Sequence, residues 1–255
     1  MESFTLTRVE MSNLLLSMTG LSDRKPLNIL QEAWTKFHRK EVQEGTTLPA
    51  FLTTDVPPIL QKIINGNSIK GFSLGEIASL GHLIEYSTLS VTAMQNWVKR
   101  DFKEYLGSPR MGKKYSVNQA ALLFIIDDLK SALSFDSIRQ LFQLMFLKPD
   151  RDDDDLIEPA KLYYAYSGLF EEIKSNPTLQ SPCKIDQDLY KEYSWKDDNF
   201  LRSSTDKVIN RLTHLTKSQR ESVRNILLIA TISVQTCYFQ ALARQYFNAA
   251  LFLDF

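Results

Sequence analysis

Apolar residues recur at spacings of three and four along most of the chain, the mark of helices that bury one face. Between residues 28 and 40, Ile29, Leu30, Ala33, Trp34 and Phe37 line one side. Ser73, followed three residues later by Glu76, is a capping-box start. The helix it opens carries Ile77, Leu80, Leu83 and Ile84 and is expected to end near Ser87. Ser90 then caps a short helix with Met94, Trp97 and Val98 on one face. Pro109 to Lys114 forms a Gly-bearing basic turn. Ser116 caps a helix predicted over residues 117–133, apolar nearly all round and therefore expected to be buried. Ser134 caps the next, with Leu133 placed to staple onto Ile138. Ala160 to Lys174 is a Tyr-rich helix, and Thr216 with Gln219 makes a second capping box. That box opens a pattern without a breaker until about Tyr246, in which Val223, Leu227, Ala230, Val234, Cys237 and Ala241 alternate at four and three. Such spacing suits either a central core helix or a homodimer seam. With no internal repeat and no strand outside the basic turn, the fold class is all-α.

Composition narrows the field. The chain has 255 residues, 44% hydrophobic and 24% charged, with nine Gly and nine Pro. These values exclude a collagenous or disordered protein and leave ample length for a buried core. Two cysteines, Cys183 and Cys237, cannot staple a secreted mini-fold. The first twenty residues carry an early acid and only a three-leucine run, Leu14 to Leu16, which does not read as a signal peptide. The most apolar stretch, Ile226 to Cys237, falls far short of the ~20 residues that span a bilayer. The expectation is a soluble cytoplasmic protein with no membrane contact.

Thirty basic and thirty acidic residues cancel overall but not locally. Residues 67–149 hold ten basic and seven acidic, residues 150–198 six and thirteen, and residues 199–255 seven and three. The densest positive segment runs from Lys99 to Lys114, where Lys99, Arg100, Lys103, Arg110, Lys113 and Lys114 face only Asp101 and Glu104. Asymmetry of this kind speaks of partners rather than fold. The acidic run beginning at Asp150, flanked by Pro149 and Pro159, reads as a linker. The segments expected are therefore an N-terminal helical extension (1–66), a DNA-binding domain (67–147), the linker (148–159) and a C-terminal helical domain for dimerisation or effector binding (160–255).

The order of parts over residues 72–146 carries the functional expectation. A capped helix, a tight turn, a short helix, a basic Gly turn and two hydrophobic helices follow one another as in a winged helix-turn-helix, whose second helix enters the major groove. With Met94, Trp97 and Val98 inward, the opposite face presents Thr92, Gln95, Asn96 and Lys99. Gln and Asn bond adenine in pairs, Lys reaches guanine acceptors, and the Thr methyl meets a thymine methyl. Arg100, Lys103, Arg110, Lys113, Lys114 and Tyr115 are then phosphate contacts.

The run Leu89 to Arg100, then Gly112-Lys113-Lys114-Tyr115-Ser116, then Leu129 to Ile138, resembles the MerR-type DNA-binding domain. More closely, residues 95–100 (QNWVKR) and 112–121 (GKKYSVNQAA) are similar to a bacterial domain of unknown function related to MerR-type regulators. The resemblance covers about residues 55–147 and implies a winged helix-turn-helix that binds double-stranded DNA, usually as a homodimer. This chain departs from the MerR-type pattern at Thr88, where Gly is usual, and at Gln95 and Asn96, where a basic and an aromatic residue are usual. Its first helix is also expected to be longer, since Glu76 sits fourteen residues before Ser90. The cysteines lie away from the positions used in MerR-type metal sensing.

Other signals lead nowhere. Asp150, Asp152 and Asp154 begin like a calcium loop, but Asp155 stands where Gly is needed and Lys161 where Glu is needed. His38, His82 and His214 lack any zinc context. Ser181 to Lys184 and Ser204 to Lys207 match a serine-x-x-lysine pattern without its companion elements. No cofactor, metal or catalytic function is expected. The aromatics after residue 160 (Tyr163, Tyr164, Tyr166, Phe170, Tyr190, Tyr193, Trp195, Phe200) read as core packing or as the lining of an effector pocket. A protein-interaction adaptor that keeps the fold without DNA is the alternative function.

Overall fold

A computed structural model describes residues 4–39, 57–65, 69–146, 155–175 and 189–253. Among these no strand is present, only three isolated β-bridges, and the all-α expectation holds. The acidic run at Asp150 to Asp154, Cys183 and the first serine-x-x-lysine match lie outside the described residues.

The chain divides into two compact units, one comprising residues Met1–Asp127 with Pro159–Tyr164, the other Asp128–Glu158 with Ala165–Phe255. The N-terminal stretch 1–66 and the segment 67–127 thus share one unit, and residues 128–147 group with the C-terminal helices.

In the first unit, α1 (Arg8–Met18) opens on a complete Thr7–Glu10 capping box. It packs on α2 (Pro26–Phe37), which packs on α3 (Pro58–Ile64), which in turn contacts α4 (Leu74–Gly81). The Ser73–Glu76 box of α4 is present in both directions. That helix has only eight residues, so the expected extension to Ser87 and the longer first helix do not occur. Leu83 and Ile84 are buried in the turn that follows instead. They are held there because Leu6 pairs with Ile84 in a parallel bridge, with its amide donating to the Leu83 carbonyl and its carbonyl accepting from Glu85. Beside that bridge Arg8, 1% exposed, donates from Nη1 to the Glu85 carbonyl at 2.7 Å. A tertiary bridge thus ends the helix where local propensity alone would let it continue.

Ser90 caps α5 (Val91–Asn96), accepting from the Ala93 amide. The chain then widens into a π turn over Trp97–Asp101, with the Phe102 amide donating to the Trp97 carbonyl, and closes in α6 (Lys103–Leu106). Helix α7 (Val117–Leu129) is buried from Gln119 through Leu129, as its all-round apolar pattern predicts.

In the second unit, α8 (Phe135–Met145) begins at the Ser134 cap. It packs on α11 (Lys217–Leu253), which also contacts α10 (Leu189–Ile209). α9 (Pro159–Lys174) is divided between the units at Tyr164, and it buries Leu162 and Tyr163 in its first part and Tyr166, Leu169 and Phe170 in its second, so these aromatics are core residues. Tyr166 donates to Asp128 Oδ2 at 2.8 Å, and Ser131 donates to the Ser233 carbonyl at 2.8 Å. α11 keeps its Thr216–Gln219 capping box. Val223, Leu227, Ala230, Val234 and Cys237 are buried within the chain and Ala241 is half-buried. They form a core face, and that side of the helix is closed to a second copy. The apolar stretch is also longer than expected. Among the described residues, the helix through Lys217–Leu251 is long and apolar enough to cross a membrane by length and composition, with a mean hydropathy of 1.6 over its best window.

Arg8→Met removes a buried cation beside this bridge and leaves the Glu85 carbonyl without that donor. A loss of about 3 kcal/mol in unfolding free energy is expected from urea titration. An unchanged midpoint would refute the role given to Arg8.

Candidate nucleic-acid interface

The segment from Ser90 to Tyr115 presents polar and basic side chains on short elements held firmly from below. In α5, Met94 is fully buried and Trp97, which follows it, is 3% exposed, so these two side chains hold the helix down. Thr92, Gln95 and Asn96 are exposed on its other side. Lys99 and Arg100 are exposed on the π turn, and Lys103 is exposed at the start of α6. The π turn moves Lys99 and Arg100 around the axis relative to a straight α-helix, a feature that periodicity did not foretell. Trp97 packs edge-on against buried Phe102 with ring centres 6.5 Å apart, which keeps the widened turn in place.

Downstream, Met111 and Lys114 exchange both backbone hydrogen bonds around Gly112-Lys113. Gly112 has φ of +70° and Lys113 does not share the positive region. That combination is a type II′ hairpin turn, in which Gly takes the first central position. Its base is joined by a second pair of bonds, Phe72 amide to Tyr115 carbonyl and Tyr115 amide to Phe72 carbonyl, both 2.8 Å. Gly71 makes this approach possible, since a Cβ there would lie 2.6 Å from the Tyr115 carbonyl oxygen. Met111, Lys113 and Lys114 are exposed at the tip, while Arg110 and Tyr115 are half-buried at the root. Burial pushes the Tyr115 phenol up, so it remains a protonated donor.

Three side chains that were not singled out as site residues fasten this surface. Gln119, fully buried on α7, accepts from the amides of Arg110 (3.2 Å) and Ser116 (2.8 Å). Through its amide nitrogen it donates to the carbonyls of Leu106 (2.6 Å) and Ser108 (2.8 Å). One side chain therefore satisfies four backbone groups along the strap that leads into the basic turn. The Ser116-x-x-Gln119 spacing is itself a capping box and marks the residue in the sequence.

Asp127, eight residues along the same helix, accepts from the Ser87 hydroxyl (2.9 Å) and the Thr88 amide (3.3 Å). It grips the turn between α4 and α5 from the side of α7, while Leu6 and Arg8 grip an earlier part of that turn. Nothing in a run of alternating apolar residues announces this contact.

The third is Glu76, whose role as a cap is legible but whose reach is not. Its carboxylate also meets Lys62 at 2.9 Å and Lys114 at 3.3 Å. Burial opposes its ionisation, but the Ser73 amide, the two lysines and the charge of Lys114 outweigh that and hold the carboxyl down at about 2. Lys114 therefore serves an internal ion pair as well as the surface. Lys99, Arg100, Lys103 and Lys113 form no ion pair among the described residues and are exposed. No cluster of His, Cys, Asp and Glu suited to a metal ion occurs among the described residues.

Fold and site together define an all-helical protein that carries a short, polar-faced helix and a fastened basic turn in one of two compact units. Comparison with known proteins places it more narrowly. The profile of a domain of unknown function, DUF1836, matches residues 75–166, from α4 into α9. An uncharacterized Bacillus subtilis (strain 168) protein, YkrK, is 32% identical over 245 residues, covering 96% of this chain and 97% of that protein. The chain carries a DUF1836 domain and belongs to the same family as the Bacillus protein. No solved structure matches.

Gln119→Ala leaves four backbone groups without their partner and is expected to cost about 2–4 kcal/mol. Amide exchange at Arg110 and Ser116 should rise in step. Unchanged exchange at those two amides would show that the strap holds itself.

The Glu76 carboxyl has a folded-state value below its unfolded one, so its contribution is complete above about pH 4.5 and disappears as pH falls toward 2. With both lysines half-exposed, about 2 kcal/mol is the expected size. Glu76→Gln should begin less stable at neutral pH and show a flatter acid limb. An acid limb identical to the wild type would contradict the assignment.

Proposed function

We propose that the protein is a sequence-specific, double-stranded DNA-binding regulator of transcription acting in the cytoplasm. In this reading residues 72–146 form a MerR-like winged helix-turn-helix: α4 braces, α5 lies in the major groove and the basic turn is the wing. The observation that carries it is the division of α5 and the turn after it into two sides. Met94 and Trp97 are buried, while Thr92, Gln95, Asn96 and Lys99, the side chains suited to base edges, are exposed together. Arg100, Lys103, Arg110, Lys113, Lys114 and Tyr115 follow on adjoining elements as phosphate contacts, which position the protein without reading sequence. The fastening of both turns by Gln119, Asp127 and Arg8 suits such a role, because groove readout needs side chains held by rigid supports.

Selection of the purified protein against a random duplex library at physiological salt should enrich a defined motif. In Gln95→Ala/Asn96→Ala the motif should flatten while non-specific affinity stays near that of the wild type. In Lys103→Ala/Lys113→Ala affinity for every duplex should fall, and the slope of log affinity against log salt should drop by roughly two. Lys114 is left in place so that the tie to Glu76 survives. No enrichment, together with no duplex binding at low salt, would overturn the DNA reading in favour of a protein-binding adaptor.

A further inference from the structure

Helix α5 begins under a full set of local fastenings, and one side chain stands outside all of them. Ser90 caps the first turn by accepting from the Ala93 amide at 3.2 Å. Leu89, just before the cap, and Met94, in the second turn, are both buried and occupy the two positions of a hydrophobic staple. Gly81 lets Leu89 seat there, since a Cβ at that glycine would lie 2.7 Å from Leu89 Cδ2. The entry of the helix is thus fixed without Val91, which is 37% exposed at its first position. A β-branched residue costs some helix propensity, and an exposed one recovers little of that by packing. Stability does not explain a valine here. Its neighbours on the exposed side are Thr92, next in the chain, and Gln95, one turn further along the same face.

We infer that Val91 is a further specificity-determining residue of this surface, and that with Thr92 it selects pyrimidines that carry a C5-methyl group. The inference rests on the DNA-binding reading of α5 and names what that surface selects. In the major groove thymine displays its methyl beside the O4 acceptor, and cytosine has no such group. Side chains near the start of a groove helix are the ones that reach base edges, and Val91 and Thr92 are its first two residues. Both are β-branched with restricted χ1, so their methyls are already in place and little rotamer freedom is lost on contact. One valine among Thr92, Gln95 and Asn96 is far too small an apolar surface to anchor a protein partner. It is matched in size to a single methyl group. Gln95 pairs with adenine through N6 and N7, and Val91 lies one turn away, within reach of the thymine of the same or the next base pair. The preferred duplex therefore has consecutive A·T pairs at its core, read in part by methyl contact. 5-Methylcytosine carries the same group at the same ring position and shares in this recognition. Uracil keeps every hydrogen-bonding group of thymine and does not.

The probe is the duplex enriched from the random library, with deoxyuridine replacing thymidine one position at a time. Affinity of the full-length protein should fall about fourfold at two neighbouring positions, the size expected for one buried methyl group. In Val91→Ala the two nucleosides should bind alike at one of these positions, and in Thr92→Ser at the other. Cytidine placed at the Val91 position should bind about fourfold better when 5-methylated, and Val91→Ala should erase that gain. Because alanine favours helix more than valine does, Val91→Ala should unfold no earlier than the wild type, which separates lost contact from lost structure. Val91→Thr, which keeps one methyl, should retain part of the discrimination. An enriched duplex indifferent to deoxyuridine at every position would overturn the methyl reading and leave DNA binding standing. Discrimination that persists unchanged in Val91→Ala would take the role away from Val91. Absence of any duplex binding would overturn the DNA reading and this inference with it.

Discussion

Helix α7 can be buried along nearly its whole length only because the polar groups it carries inward are answered by hydrogen-bond partners. Gln119 is the clearest case. A buried primary amide left unpaired would cost more than the helix gains from its neighbouring methylenes. Its two acceptor and two donor directions are instead matched to two amides and two carbonyls of one strap, between Leu106 and Ser116. Satisfaction of the amide and placement of the basic turn are thus one event. Asp127 repeats the device at the other end of the helix, where its carboxylate organises the approach to α5.

The turn between α4 and α5 shows why the N-terminal segment belongs to the same compact unit. Leu6 contacts it through its own amide and carbonyl and Arg8 through its guanidinium, and both meet backbone groups of the turn, which no side-chain pattern can advertise. α5 has six residues, well under the length at which an isolated helix is stable in water. Its position is therefore imposed by Met94 and Trp97 beneath it, by the Ser90 cap, and by a turn pinned from two directions. The exposed charges of Lys99, Arg100, Lys103 and Lys113 contribute little to its stability. Glu76 is the exception, since it draws Lys114 into the scaffold and so ties the basic turn to the start of α4.

The periodic apolar pattern in residues 217–246 is compatible with two packings, a core face and a seam between helices. The spacing of Val223, Leu227, Ala230, Val234 and Cys237 was open between core and seam because both demand the same residues at the same intervals. Only the presence of α8 and α10 against α11 decides that these positions are core. Ile232, Phe239 and Tyr246, on the other side, are exposed.

Local chemistry was legible where it acts over three or four residues. The caps at Ser73, Ser90, Ser116, Ser134 and Thr216 each form as their spacing implies, because the donors they satisfy lie in the same turn of chain. The division of the Ser90 helix into Met94 and Trp97 against Thr92, Gln95 and Asn96 was legible for the same reason. What tertiary structure alone decided acts at long range: the end of α4 at Gly81, forced by the bridge from Leu6; the π turn after Asn96, held by the packing of Trp97 on Phe102; and the grip of Gln119 and Asp127 on two separate turns. These rest on contacts between residues from nine to about eighty positions apart or on a shift of backbone register, and hydrophobic periodicity, which records only which face is buried, carries no information about either.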